Sequence, residues 1–188
     1  WICIKNERFP RVFPTRRMIK DGSEYFGPYT SMKTVHTLLD LIKGLYPLRT
    51  CNYDLSEEKI RAGKYKVCLE YHLGNCLGPC EGLFSEKEYH ENIEAIRNIV
   101  KGNFKDSLHK FKKQMKALAA DLKFEEAQRV KEKIDILENY QSKSTVVNPK
   151  INNVDVYSVI SDEGHGYVNF LQLSHGAIIR SHTLEIKK

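Results

Sequence analysis

Apolar positions change their spacing several times along the chain, and each change marks an element. Ile2–Lys5 and Arg11–Arg16 read as two short strands around a turn at Pro10. Pro14 has no N–H to give a ladder, which assigns the second strand to a sheet edge. Asp21-Gly22 signals a turn. Val35, Leu38, Leu39, Ile42 and Leu45 then recur at spacings of three and four, one buried stripe of a helix capped by Thr30 or Ser31 and stopped by Gly44 and Pro47. Beyond it the periodicity fails. Residues 49–82 are rich in Gly and Cys and are expected to have no apolar core of their own, so something else must hold them.

Helical spacing returns at Ser85-Glu86-Lys87-Glu88, a capping box in which Ser and Glu side chains are expected to satisfy two orphaned backbone N–H groups. Tyr89, Ile93, Ile96 and Val100 line one face, and Gly102 stands where a C-terminal cap belongs. A second helix carries Leu108, Phe111, Met115, Leu118 and Leu122; a third carries Phe124, Ala127, Val130 or Lys131, Ile134 and Leu137. Almost nothing separates these two, which forces an antiparallel αα-hairpin. Its apolar stripe exceeds what the hairpin can cover, so the stripe packs either on neighbouring domains or on a partner's helices. Gln141–Asn153 is polar and reads as a linker. Val154–Ser161, Tyr167–Leu173 and Ala177–Ile186 then alternate apolar and polar between the glycine-bearing turns 162–166 and 174–176, a three-stranded meander and an incomplete sheet.

Composition narrows the class. Of 188 residues, 41% are hydrophobic and 29% charged, ordinary for a soluble globular protein and too apolar for disorder. No run reaches the roughly 18 apolar residues of a membrane span, and no signal peptide opens the chain. The chain starts at Trp1-Ile2-Cys3-Ile4, inside an apolar run and without Met, as expected of a piece of a longer protein. The formal charge is +6, and residues 1–50 hold nine Lys and Arg against four Asp and Glu. Arg8, Arg11, Arg16, Arg17 and Lys20 thus mark either a surface for a phosphate backbone or a solubilising face. Phe9, Phe13, Tyr25, Phe26 and Tyr29 among them could stack on bases or form the core of a small sheet.

The sharpest chemistry is the set Cys51, Cys68, Cys76 and Cys80, spaced 17, 8 and 4 apart. Four thiolates in a loop-rich segment are what a tetrahedral zinc ion or a 4Fe-4S cluster requires, and either would supply folding energy. Gly74 and Gly78 would let the backbone approach the sulfurs. With only one short pair the spacing leans toward the cluster; four unrelated buried cysteines is the remaining reading. Cys3 reads as a core residue, and His72 as a packing residue or a substitute ligand. No phosphate loop, G-x-S-x-G elbow or H-E-x-x-H pair is present. Asp155 opens the first strand of the meander, but one carboxylate does not make a two-metal site.

Tyr25-Phe26-Gly27-Pro28-Tyr29, Pro47-Leu48-Arg49-Thr50-Cys51 and the run from Cys68 through His72 and Gly74 to Cys76-Leu77-Gly78-Pro79-Cys80 resemble the UvrC family, endonuclease subunits of bacterial nucleotide excision repair. Leu122-Lys123-Phe124-Glu125-Glu126-Ala127-Gln128 looks like the family's UVR motif, departing at Gln128, where Ala is usual. Val154-Asp155-Val156 is similar to the start of the family's C-terminal half. The resemblance implies an excinuclease that cuts damaged DNA on both sides of a lesion in the cytoplasm, with Mg²⁺ at nuclease sites whose catalytic residues find no match here. It assigns Cys51, Cys68, Cys76 and Cys80 to a 4Fe-4S cluster, with zinc as the alternative. It places Phe124, Glu125 and Ala127, with Leu118 and Leu122, at a docking surface for UvrB, and likens the meander to an RNase H-like sheet, with or without catalytic function. Neither a membrane nor a small-molecule substrate is implied.

The resulting expectation is an α+β chain in five parts: the end of a nuclease region with basic strands and a helix (1–48), a cysteine module (49–84), helices including the hairpin at 106–141 (85–141), a linker (142–153) and the start of an RNase H-like region (154–188). Its expected role is positioning, not cleavage. A stand-alone zinc-stabilised DNA-binding module is the rival.

Overall fold

The computed structural model describes residues 1–27, 29, 31–143, 154–162, 164–174 and 177–187. The fold is α+β, with two three-stranded antiparallel sheets and six α-helices among the described residues. In the first sheet β1 (Ile2–Ile4) is central, pairing with β2 (Val12–Pro14) on one side and β3 (Glu24–Phe26) on the other. Pro14 is on an edge strand, as its missing N–H demands. The third strand is additional to the turn and aromatics that the sequence shows there.

Helix α1 (Met32–Leu45) starts where Ser31 accepts the Lys33 N–H at 3.1 Å. It ends at Leu45, between the expected stop residues Gly44 and Pro47. A Cβ on Gly44 would stand 3.9 Å from Ile136 Cδ1, an ordinary contact with the hairpin. Helix α4 (Glu86–Val100) begins at Ser85, whose hydroxyl accepts the Glu88 N–H at 3.2 Å and donates to the Glu88 carboxylate at 2.6 Å. The box therefore closes on the hydroxyl itself; the expected bond from the Glu88 carboxylate to a backbone N–H is replaced. Gly102, at φ +81°, ends the helix with its N–H on the Ile99 carbonyl and the Asn103 N–H on the Asn98 carbonyl.

Helices α5 (Lys105–Ala120) and α6 (Phe124–Lys143) form the expected hairpin, although α6 takes in the first three residues assigned to the linker. Its stripe is covered by its own chain: Phe111, Val130, Ile134 and Leu137 join Val35, Leu38, Leu39 and Ile42 of α1, Ile93, Ile96 and Ile99 of α4, and Ile2 and Ile4 of β1 in one core. The cysteine module also leans on that core, through Leu55, Cys80 and the half-buried Ile60, Tyr65 and Val67, so it is less coreless than its sequence suggests. It contains two short helices, α2 (Glu57–Arg61) and α3 (Leu69–His72), and a 3₁₀ turn at Pro79–Glu81.

The second sheet is the expected meander, β4 (Val154–Asp162), β5 (His165–Ser174) and β6 (Ala177–Lys187) in that order, with a register shift at Gln172/Leu173. All of β4 is exposed, and Tyr157 meets Phe170 across strands at 5.0 Å. Linker residues 144–153 and the second hairpin turn at 175–176 lie outside the described residues.

Candidate functional site

Cys51, Cys68, Cys76 and Cys80 all line one cavity of about 20 Å³, walled by Tyr71 and Pro79 among others. Local hydrogen bonds set each in place. Cys68 stands at the N-terminal boundary of α3, its carbonyl accepting the Tyr71 N–H at 3.0 Å, and the Glu70 carbonyl accepts the N–H groups of both Asn75 and Cys76, folding the chain back after the helix. Gly78, at φ +68°, then turns into the 3₁₀ helix bearing Cys80. A side chain on Gly78 would lie 3.0–3.1 Å from Tyr71, Leu83 and Val67, so this backbone needs glycine for conformation and for space. The Glu81 carboxylate accepts the Val67 N–H at 3.1 Å and closes the loop from the other side.

Burial pushes the Cys76 thiol up; the Gly78 N–H partly opposes this, and the charges of Cys51, Cys80 and Cys68 add to it. Burial likewise pushes up Cys80, with Cys51 and Cys68 again contributing. Without a cation these two thiols stay neutral; as thiolates they would need one among them. That chemistry fits a thiolate-bound metal centre. Among the described residues no three His, Cys, Asp or Glu side chains converge to hold a single metal ion. Either a zinc ion or a cluster would require the four sulfurs to draw closer around the cavity than they stand here. His72 is exposed beside Tyr71, and Cys3 is buried in β1.

Arg49 is the residue the sequence reading passed over. It is 3% exposed. Its Nε donates to the Phe9 carbonyl at 2.8 Å, and Nη1 donates to the Tyr53 carbonyl at 2.7 Å, the Cys51 carbonyl at 3.3 Å and Cys51 Sγ at 3.9 Å. Nη2 pairs with Glu7 Oε1 at 2.9 Å. The backbone N–H of Arg49 donates to the Tyr89 hydroxyl, which donates to the Pro10 carbonyl at 3.0 Å. One guanidinium thus joins the cysteine module to the β1–β2 loop, with α4 buttressing its backbone. Its only trace in the sequence is its place two residues before Cys51.

The basic residues separate into two groups. Arg8 pairs with Glu86 at 2.7 Å, and Arg11 with Glu7 at 2.7 Å, so these two cations are already matched. Arg16, Arg17 and Lys20 stand exposed on the β2–β3 loop, with no carboxylate partner among the described residues. Of the aromatics beside them, Phe9 belongs to the core and packs edge-on to Tyr89 at 5.3 Å. Asp155 lies exposed on β4, and no metal-holding carboxylate group forms around it among the described residues.

The hairpin residues also separate. Ala127 is buried and Leu118 packs against the core, whereas Leu122 is 74% and Phe124 64% exposed at the tip, beside the exposed Glu125. The Lys123 N–H bonds to the Leu118 carbonyl and the Leu122 N–H to the Ala119 carbonyl, a Schellman closure whose left-handed position is filled by Leu122 at φ +60°. Glycine is the residue expected there.

Residues 1–99 match the model of the UvrC/Cho excinuclease middle domain. The chain belongs to this family. Over its whole length it is 80% identical to UvrABC system protein C of Christiangramia forsetii, 70% to that of Flavobacterium johnsoniae and 54% to that of Bacteroides fragilis. It spans 32%, 32% and 31% of those proteins respectively. No solved structure matches it. The family match covers the cysteine module, Arg49 and most of α4. No described helix is long and apolar enough to cross a membrane.

Proposed function

We propose that the chain is the positioning segment of a nucleotide excision repair excinuclease subunit, a role in keeping with the name its relatives carry. The α5–α6 tip docks UvrB, the exposed cations of the β2–β3 loop meet the DNA backbone, and the cysteine module fixes the geometry between them. Cleavage belongs to nuclease sites outside these residues.

The observation that carries the reading is the tip itself. Leu122 holds a left-handed backbone that costs a branched side chain roughly 1–2 kcal/mol. It does so to stand in solvent beside an equally exposed phenylalanine. Among the described residues neither side chain joins the core, whereas burial in a partner's groove would return about 1.5–3 kcal/mol per side chain. Glu125 and Glu126 complement the positive end of α6 and leave the apolar pair as the contact.

Cys51, Cys68, Cys76 and Cys80 hold a 4Fe-4S cluster in this reading. When bound, it supplies the metal–thiolate bonds that tie the three stretches of the module together. Arg49 orients Cys51 and anchors the module to the sheet. The test of docking is the affinity of the chain for UvrB. Phe124→Ala should weaken binding at least tenfold with an unchanged thermal midpoint; unchanged affinity would remove the docking claim.

A further inference from the structure

The loop between β2 and β3 reads Arg16-Arg17-Met18-Ile19-Lys20, and all five residues are exposed. Met18 and Ile19, adjacent and apolar, stand 59% and 60% free. The backbone around them is fixed. The Arg17 N–H donates to the Thr15 hydroxyl at 3.1 Å, and the Arg17 carbonyl accepts from that hydroxyl at 2.9 Å. The Ile19 N–H donates to the Tyr25 hydroxyl at 3.0 Å, and its carbonyl accepts from Tyr25 at 3.2 Å and from the Asp21 N–H at 3.0 Å. Asp21 is in turn held by Lys5 at the end of β1. Side-chain hydroxyls therefore secure the residues on both sides of Met18.

We propose that this loop is a wedge for duplex DNA, in which Arg16, Arg17 and Lys20 seat on phosphates while Met18 and Ile19 enter an unstacked base step. The proposal rests on the DNA-binding reading above and adds how the duplex is engaged. Three cations without carboxylate partners among the described residues flank the apolar pair, a distribution complementary to a polyanion and not to an apolar groove. Unbranched and β-branched aliphatic side chains are the kind that enter base steps, with cations gripping the backbone on either side. A rigid loop presents them without paying ordering entropy on binding.

The test uses the full chain and a short duplex carrying 2-aminopurine beside a single-base bulge, titrated at several salt concentrations. Binding should raise the 2-aminopurine fluorescence. Met18→Ala with Ile19→Ala should weaken binding roughly tenfold and abolish that rise, leaving the salt slope unchanged. Arg16→Ala with Arg17→Ala should flatten the slope by about 0.9 per arginine. Met18→Lys should retain or tighten binding while losing the fluorescence rise, which a folding defect would not produce. An apolar double variant that binds with the same affinity and fluorescence overturns the wedge. If the arginine variants still flatten the slope in that case, backbone contact stands and the wedge alone falls; if they do not, the DNA-binding reading of this loop falls too. A double variant that keeps DNA affinity but loses UvrB binding makes the pair a protein contact and also overturns the proposal.

Discussion

Arg49 shows how a charge can be structural. Its guanidinium meets three backbone carbonyls, a sulfur and Glu7 at a nearly water-free point, and Arg11 also holds Glu7. Arg49→Met would leave the carbonyls of Phe9 and Tyr53 without their donor, while Arg11 still compensates Glu7. The loss should therefore be about 2–4 kcal/mol, below that of a fully uncompensated buried charge. Arg49→Lys should recover little, since one ammonium cannot reproduce the planar fork. Denaturant unfolding of both variants checks this. Gly78 offers a second test against Gly74, because both have positive φ but only Gly78 is crowded. Gly74→Ala should cost about 1 kcal/mol, and Gly78→Ala about 2 kcal/mol together with a loss of bound metal that Gly74→Ala does not cause. That Cys51, Cys68, Cys76 and Cys80 share one cavity was legible because they lie within thirty residues of sequence. Arg49 was not, because an arginine reads as surface and its partner Phe9 is forty residues away.

At the scale of elements, caps and periodicity carried far. Ser31, Ser85 and Gly102 end helices by local hydrogen bonds that depend on few neighbours. Strand β3 escaped notice because three residues are too short for alternation to show. Helix α1 ends at Leu45, between the Gly44 and Pro47 that mark its stop in the sequence. Of the two covers open to the hairpin's stripe, neighbouring parts of the chain or a partner, α1 and α4 supply the first, and the tip is left exposed. Leu122→Gly makes the distinction measurable. It relieves the left-handed strain, offset in part by the greater freedom of glycine in the unfolded chain, so stability should stay equal or rise by up to about 1 kcal/mol. Affinity for UvrB should fall in the same variant. Opposite signs for folding and docking are expected only of a residue kept for its partner; a substantial loss of stability would instead assign Leu122 to the hairpin's own packing.

For the whole molecule, one core unites the first sheet, α1, the cysteine module and α4–α6, so the exposed hairpin tip, the cationic loop and the sulfur-lined cavity are carried on a common frame. The α+β class and the order of elements follow from local pattern; the way the module leans on the core follows from Leu55, Cys80 and Arg49, whose contacts local pattern does not encode. Burial raises the thiols of Cys76 and Cys80 beside a space of about 20 Å³, which only a bound cation would offset. The most direct test is the iron and acid-labile sulfide content of the chain purified without oxygen. Equimolar iron and sulfide at the 4Fe-4S stoichiometry, lost together when Cys76 is replaced by Ser, is the predicted result. Colourless protein holding one zinc, or no metal with four free thiols, would contradict it.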